Sequence, residues 1–240
     1  MKRNKLIHGM LTPWQIWEDA AAYFSREYCV VIPELDGHTE DVTSRFLSVK
    51  NEAAQIKEYL LKNFKGKIHA LCGLSMGGRI AAVLAGMEEI SVKYLILDGA
   101  PLDTVPGFVR EIMKKNYLKI IAKSRLRDPK VIENCKRVFL PERYLPYFLK
   151  IADHMEMQSV RNIIDSVFAL FEYKTYSSDM KILFMHGTKG NEMVSRKAAK
   201  NMKKANMQTE IHCFKGYAHA QLACFEINKW IAEVSVFITS

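Results

Sequence analysis

The run Ala70-Leu71-Cys72-Gly73-Leu74-Ser75-Met76-Gly77-Gly78 carries a short apolar stretch into a Gly-x-Ser-x-Gly turn, and Arg79-Ile80-Ala81-Ala82-Val83-Leu84 leaves it as a helix. A serine on so sharp a strand-to-helix turn has strained backbone angles, and only small neighbours at Gly73 and Gly77 let the chain pass that closely. The hydroxyl is thereby pushed out above the end of the strand. The helix that follows points its first amides at any negative charge that develops beside Ser75. The turn therefore reads as the seat of a nucleophile.

Outward from this turn, short apolar or β-branched runs alternate with amphipathic stretches. Residues 5–8, 29–33, 68–72, 94–97, 182–185 and 210–214 read as strands, each ending in or near Gly, Pro or Asp. Residues 14–27, 42–63, 76–87, 195–205 and 220–238 show apolar positions at three- and four-residue spacing and read as helices. This alternation predicts an α/β fold, a mostly parallel sheet covered by helices on both faces. It breaks once. Residues 103–179 show no strand and read as several helices punctuated by Pro106, Pro129, Pro141 and Pro146. The expected organisation is an α/β core of residues 1–102 and 180–240 with a helical cap insertion at 103–179.

Composition agrees with one globular domain: 240 residues, 49% hydrophobic and 25% charged, long enough to bury a core. The basic start Met1-Lys2-Arg3-Asn4-Lys5 is followed by only Leu6-Ile7 before His8-Gly9, too short an apolar run for a signal peptide. No apolar stretch is long enough for an integral membrane segment, so the expected location is cytoplasmic. Five cysteines (Cys29, Cys72, Cys135, Cys213, Cys224), odd in number and widely spaced, argue against a disulfide framework and a zinc site, and read as reduced, mostly buried thiols. The net charge of +9 lies beyond residue 100. It would attract anionic substrates or surfaces, or it marks solvated helix faces such as Arg196, Lys197, Lys200, Lys203 and Lys204. No aromatic interleaving or motif points to nucleic acid.

A serine hydroxyl is too weak a nucleophile without a base. The run Phe214-Lys215-Gly216-Tyr217-Ala218-His219-Ala220-Gln221 places His219 in a loop between the last strand and the last helix. His69 and His212 lie inside strands and read as packed there; His8, His38, His154 and His186 are further rivals. The strand that ends in His8-Gly9 supplies a third element: the amide of Met10, with that of Met76, would form an oxyanion hole. With a histidine base, turnover is expected to rise through one step between about pH 6 and 8.

In these motifs the chain resembles the α/β-hydrolase family, and within it the small serine esterases and lipases with a helical cap. Trp14 and Trp17, Pro33-Glu34-Leu35-Asp36-Gly37-His38, Leu97-Asp98-Gly99-Ala100 and His186-Gly187-Thr188 look like family punctuation. The resemblance departs in two places. The chain starts almost at the family's third strand, and the family's usual acid position holds Gly190.

Three readings of the acid stay open. Glu192, one methylene longer than aspartate, could reach back from two positions later, helped by a flexible Gly190; alternatively Glu192 only caps the helix starting near Met193. Asp98 could serve instead, or no acid at all, with Asn191 orienting the ring. The resemblance implies a serine hydrolase acting on a small-molecule acyl ester, with no cofactor and no metal. Apolar side chains of the cap (Phe108, Phe139, Phe148, Met155, Met157, Phe168, Phe171) would line an acyl pocket with Met10 and Met76, or form the cap's own core. The missing carboxylate at 190 keeps a second function in view, a catalytically inactive shell that holds a small ligand.

Overall fold

A computed structural model describes residues 2–239. Six strands, β1 (Lys2–Ile7), β2 (Tyr28–Val31), β3 (Lys67–Leu74), β4 (Ser91–Asp98), β5 (Lys181–Gly187) and β6 (Thr209–Phe214), form one sheet in the order β2-β1-β3-β4-β5-β6. All neighbours are parallel, with Asn4 opposite Ala70, Cys72 opposite Ile96, Leu95 opposite Ile182 and Met185 opposite His212. β3 is buried at every position after Lys67. A central parallel strand is covered on both faces, which is why its sequence is a continuous apolar run and does not alternate.

The helices between strands are α1 (Glu18–Phe24, after a 3-10 turn at Trp14–Trp17), α2 (Val49–Phe64), α3 (Met76–Ala85) and α8 (Met193–Ala205). Right-handed crossovers put α1 on one face and α2, α3 and α8 on the other. The C-terminal helices α9 (Gln221–Phe225) and α10 (Ile227–Thr239) return to the face of α1, where the rings of Trp17 and Trp230 meet at 4.7 Å. Between β4 and β5 lie α4 (Gly107–Arg125), α5 (Pro129–Val138), α6 (Leu145–His154) and α7 (Met157–Val167), with α4 packed on α6 and α7. Asp128 caps α5 through the amides of Lys130 and Val131, and Pro129 stands at its first position, where no amide is needed.

Two helices differ from the periodicity reading. α2 starts at Val49, not 42, because Ser48 is extended and its hydroxyl accepts the Asn51 amide. The preceding residues bond elsewhere: Ser44 Oγ accepts from Gly37 N, and Phe46 N donates to Ser159 Oγ on α7. The expected helix 220–238 is broken at Glu226, whose carboxylate accepts the Tyr217 hydroxyl at 2.6 Å. All five cysteines are free; Cys72, Cys135 and Cys224 are buried, Cys29 is half-buried and Cys213 exposed. Among the described residues no helix is long and apolar enough to cross a membrane.

Candidate active site

Ser75 sits between β3 and α3 with φ 52° and ψ −116°, a conformation that costs on the order of 1–3 kcal/mol and persists only where surroundings enforce it. The enforcement is visible. Its amide donates to the Asp98 carbonyl at 2.8 Å and its carbonyl accepts from Arg79 N at 3.1 Å. A methyl group at Gly73 would stand 2.2 Å from the Gly77 carbonyl oxygen, and one at Gly77 would stand 2.4 Å from those of Ile7 and His8. Glycine is therefore required on both sides of the serine by close backbone approach.

His219 lies in the loop after β6. The Ser75 hydroxyl donates to its Nε2 at 2.8 Å, and its Nδ1–H donates to Glu192 Oε1 at 2.6 Å. Glu192 closes a 3-10 turn (Gly190–Glu192) and stands at the N-cap of α8, yet its side chain makes no capping bond. That side chain, 1% exposed, is spent on the histidine. The turn, not a glycine hinge, supplies the reach: a side chain at Gly190 would meet nothing within 4 Å. Asn191 does not touch the ring; its Oδ1 accepts the main-chain amide of His219 at 3.1 Å. Burial lowers the His219 pKa, but the hydrogen bond and charge of Glu192, with the charge of Asp98, outweigh it and hold the ring above its ordinary value. Asp98 is buried at the end of β4 without a hydrogen bond to the ring.

Beyond β1, a methyl group at Gly9 would be 3.4 Å from Ser75 Cβ, so the loop bearing half-buried Met10 abuts the serine. Met76, 1% exposed, is the first residue of α3. Two histidines shape this loop. His8 Nδ1–H donates to Gly9 O and its Nε2 accepts from Leu35 N; His38 Nδ1–H donates to Asp36 O and its Nε2 accepts from Leu11 N at 3.0 Å. Their rings meet edge-on at 5.2 Å. Burial pushes them down to about 4 (His8) and about 3 (His38), so both are neutral. Leu11, at φ 58°, is held in a left-handed turn by this bond. Nothing in the spacing of His8 and His38 announces the pairing; the signal is only that each stands beside a glycine.

The remaining histidines lie away from the serine in their bonding. His69 stacks on Tyr28, His154 and His186 bond main-chain carbonyls, and His212, expected to be packed, is partly exposed and paired with Glu233. Among the described residues no group of three or more His, Cys, Asp or Glu side chains gathers that could hold a metal ion.

A family model described as alpha/beta hydrolase fold matches residues 6–222. No curated protein matches the sequence. Solved structures that resemble the chain include an alpha/beta hydrolase family protein from Desulfitobacterium hafniense (21% identity, TM-score 0.78, covering 99% of this chain and 96% of that one). An esterase from Exiguobacterium antarcticum is 17% identical with a TM-score of 0.75, covering 100% and 92%. The enol-lactonase from Burkholderia xenovorans LB400 is 13% identical with a TM-score of 0.72, covering 100% and 92%. At such identities the structural likeness is one of fold. With a six-stranded parallel sheet, a serine elbow after its central strand and a family match across most of its length, this chain belongs to the α/β-hydrolase fold family.

Proposed function

We propose that the chain is a serine hydrolase that cleaves carboxylic esters of small to medium acyl chains through an acyl-enzyme intermediate. The observation that carries this reading is the unbroken hydrogen-bond chain from Ser75 through His219 to Glu192. Ser75 Oγ attacks the ester carbonyl while its proton passes to His219 Nε2, and Glu192 balances the imidazolium. The amides of Met10 and Met76 hold the oxyanion. His219 returns the proton to the leaving alcohol; water, activated by the same imidazole, then releases the acid. These steps require no metal or organic cofactor. The esterase and enol-lactonase named above share the fold, which supports hydrolysis without choosing the substrate.

Residues 103–179 act in this reading as a cap that shapes acyl selectivity. Phe148 and Met155 are wholly buried and Phe139 packs edge-on against Phe148, so these three form the cap's own core, while Phe108 is 70% exposed. Phe171 is taken up by Arg79 and Tyr173, and Met10, Met157 and Phe168 are the half-buried apolar side chains left to line an acyl pocket. The second reading, a ligand-holding shell without turnover, drew its motive from the absent carboxylate at 190; the Glu192–His219 bond supports the enzyme reading in its place.

The test compares wild type with Ser75→Ala on p-nitrophenyl esters and acyl-CoA thioesters, with a fluorophosphonate probe. Wild type is expected to react with the probe and to turn over esters, and the variant to do neither while keeping its fold. Near-normal turnover by Ser75→Ala, or an unlabelled wild type, overturns the proposal.

A further inference from the structure

Two side chains at the start of α8 reach the same spot. Glu192 stands at the N-cap and Ser195 in the first turn, three positions on, a spacing that puts both on one side of the helix. Glu192 accepts the His219 Nδ1–H, while the hydroxyl of Ser195, 2% exposed, donates to the carbonyl of Gly99 at 2.9 Å, 96 positions earlier in the chain. A serine in a first helical turn commonly bonds the backbone of its own turn. This one is spent on another element.

Gly99 follows β4, is buried, and lies beneath the bond between acid and base. At its φ of 59° a methyl group would stand 2.9 Å from His219 Cε1, 3.0 Å from Nδ1 and 3.3 Å from Glu192 Oε1, so the ring and the carboxylate close over a place where no side chain fits. The chain entering this glycine is fixed on both sides: Asp98 O accepts the Ser75 amide at 2.8 Å, and Gly99 N donates to Met185 O at 2.9 Å. The Ser195 hydroxyl holds the carbonyl on the leaving side.

We propose that Ser195 is a positioning residue of this site: by holding the Gly99 carbonyl it keeps the glycine at the spacing that lets His219 and Glu192 close their bond. The proposal rests on the Ser75–His219–Glu192 reading. Because one helical turn carries both the carboxylate and the hydroxyl, the acid and the floor beneath the ring keep a common register. A short hydrogen bond to a charged group weakens steeply as its geometry departs from the optimum. A displaced glycine therefore reaches the chemistry through the His219–Glu192 bond. Burial lowers the pKa of His219, and the groups that face it, Glu192 before α8 by hydrogen bond and charge and Asp98 at the end of β4 by charge, raise it above the ordinary value. Loosening the Glu192 bond lets that pKa fall, which carries the neutral, catalytically competent ring to lower pH.

The test is kinetic, on a p-nitrophenyl ester across about pH 5 to 9, for Ser195→Ala, Ser195→Cys, Glu192→Gln and the double variant Ser195→Ala with Glu192→Gln. Ser195→Ala is expected to lower kcat about tenfold with KM changed by less than about twofold, and to move the acidic limb of kcat/KM down by about half a pH unit. Ser195→Cys fills the same space with a weak donor and is expected to show both effects, which keeps the question decidable if the alanine variant does not fold. In the Glu192→Gln background the bond to be positioned has lost its charge, so adding Ser195→Ala is expected to cost less than about twofold more. A full tenfold loss in that background, or an acidic limb unmoved in a folded Ser195 variant, overturns the role of Ser195 alone and leaves its hydroxyl a matter of stability. A wild type that the fluorophosphonate does not label overturns the site reading and this proposal with it.

Discussion

Glutamate in place of aspartate changes where the acid must stand. In the proposed mechanism Glu192, with one methylene more, serves from two positions past Gly190: it closes the 3-10 turn, and its Oε1 accepts the His219 Nδ1–H. Replacing it by glutamine keeps the shape but removes the charge that stabilises the imidazolium. Glu192→Gln is expected to lower kcat by about a hundredfold or more, and a loss below about fivefold would mean that the charge sits elsewhere. The pH dependence follows from the same bond. Catalysis needs neutral imidazole, and a pKa raised by Glu192 delays that form to higher pH, so the acidic limb should lie above the ordinary histidine value in wild type and fall in Glu192→Gln.

Single side chains also tie elements together. Arg79, one turn after Ser75 on α3 and 3% exposed, donates Nη1–H to Pro101 O at 2.9 Å and Nη2–H to Ala169 O at 2.9 Å, with Phe171 beneath its guanidinium. Pro101 precedes α4 and Ala169 follows α7, so one side chain fastens both ends of this run of helices to the serine's helix. Burial brings its pKa down to about 10, which leaves it charged at neutral pH. Arg79→Met keeps the apolar stem but strands the carbonyls, and a loss of about 1–3 kcal/mol in urea-unfolding free energy is expected. The loop after β1 is fastened in the same manner by His38. His38→Ala leaves the Leu11 amide without its acceptor and frees a strained turn next to Met10. A stability loss of about 1–3 kcal/mol should accompany it, with kcat falling more than KM rises.

Across the molecule, buried neutral groups oppose one another in their response to pH. His8 and His38, held at about 4 and about 3, bind protons more readily unfolded than folded, so their contribution is complete above about pH 6.5 and is lost as pH falls toward 4. Asp98 and Glu52, both raised to about 7 chiefly by burial, hold protons that the unfolded chain releases, so their contribution declines as pH rises from about 4 to 7. Between pH 5 and 6.5 the two effects run against each other. Asp98→Asn removes one of the opposing groups, and the slope of unfolding free energy against pH should become more positive, by at most about 1.4 kcal/mol per pH unit. A slope identical to wild type would show that Asp98 is ionised throughout this range.

The elbow, the order of serine before histidine, the parallel alternation and the helical insertion were legible along the chain because each depends on neighbours within a few positions. Glycines flanking Ser75, apolar runs of strand length and helical spacing are local steric facts, and they survive into the fold unchanged. What the chain alone left open was which side chain meets which across long separations. Glu192 could cap α8 or turn to His219, 27 residues away, and only the packing of the turn against the loop after β6 decides for the histidine. The pairing of His8 with His38, the hold of Arg79 on Ala169, 90 residues on, and the late start of α2, whose preceding residues bond to α7, have the same origin. Periodicity reports which face of a segment is apolar; the partner that covers it is fixed by how the layers close, and that exists only in three dimensions.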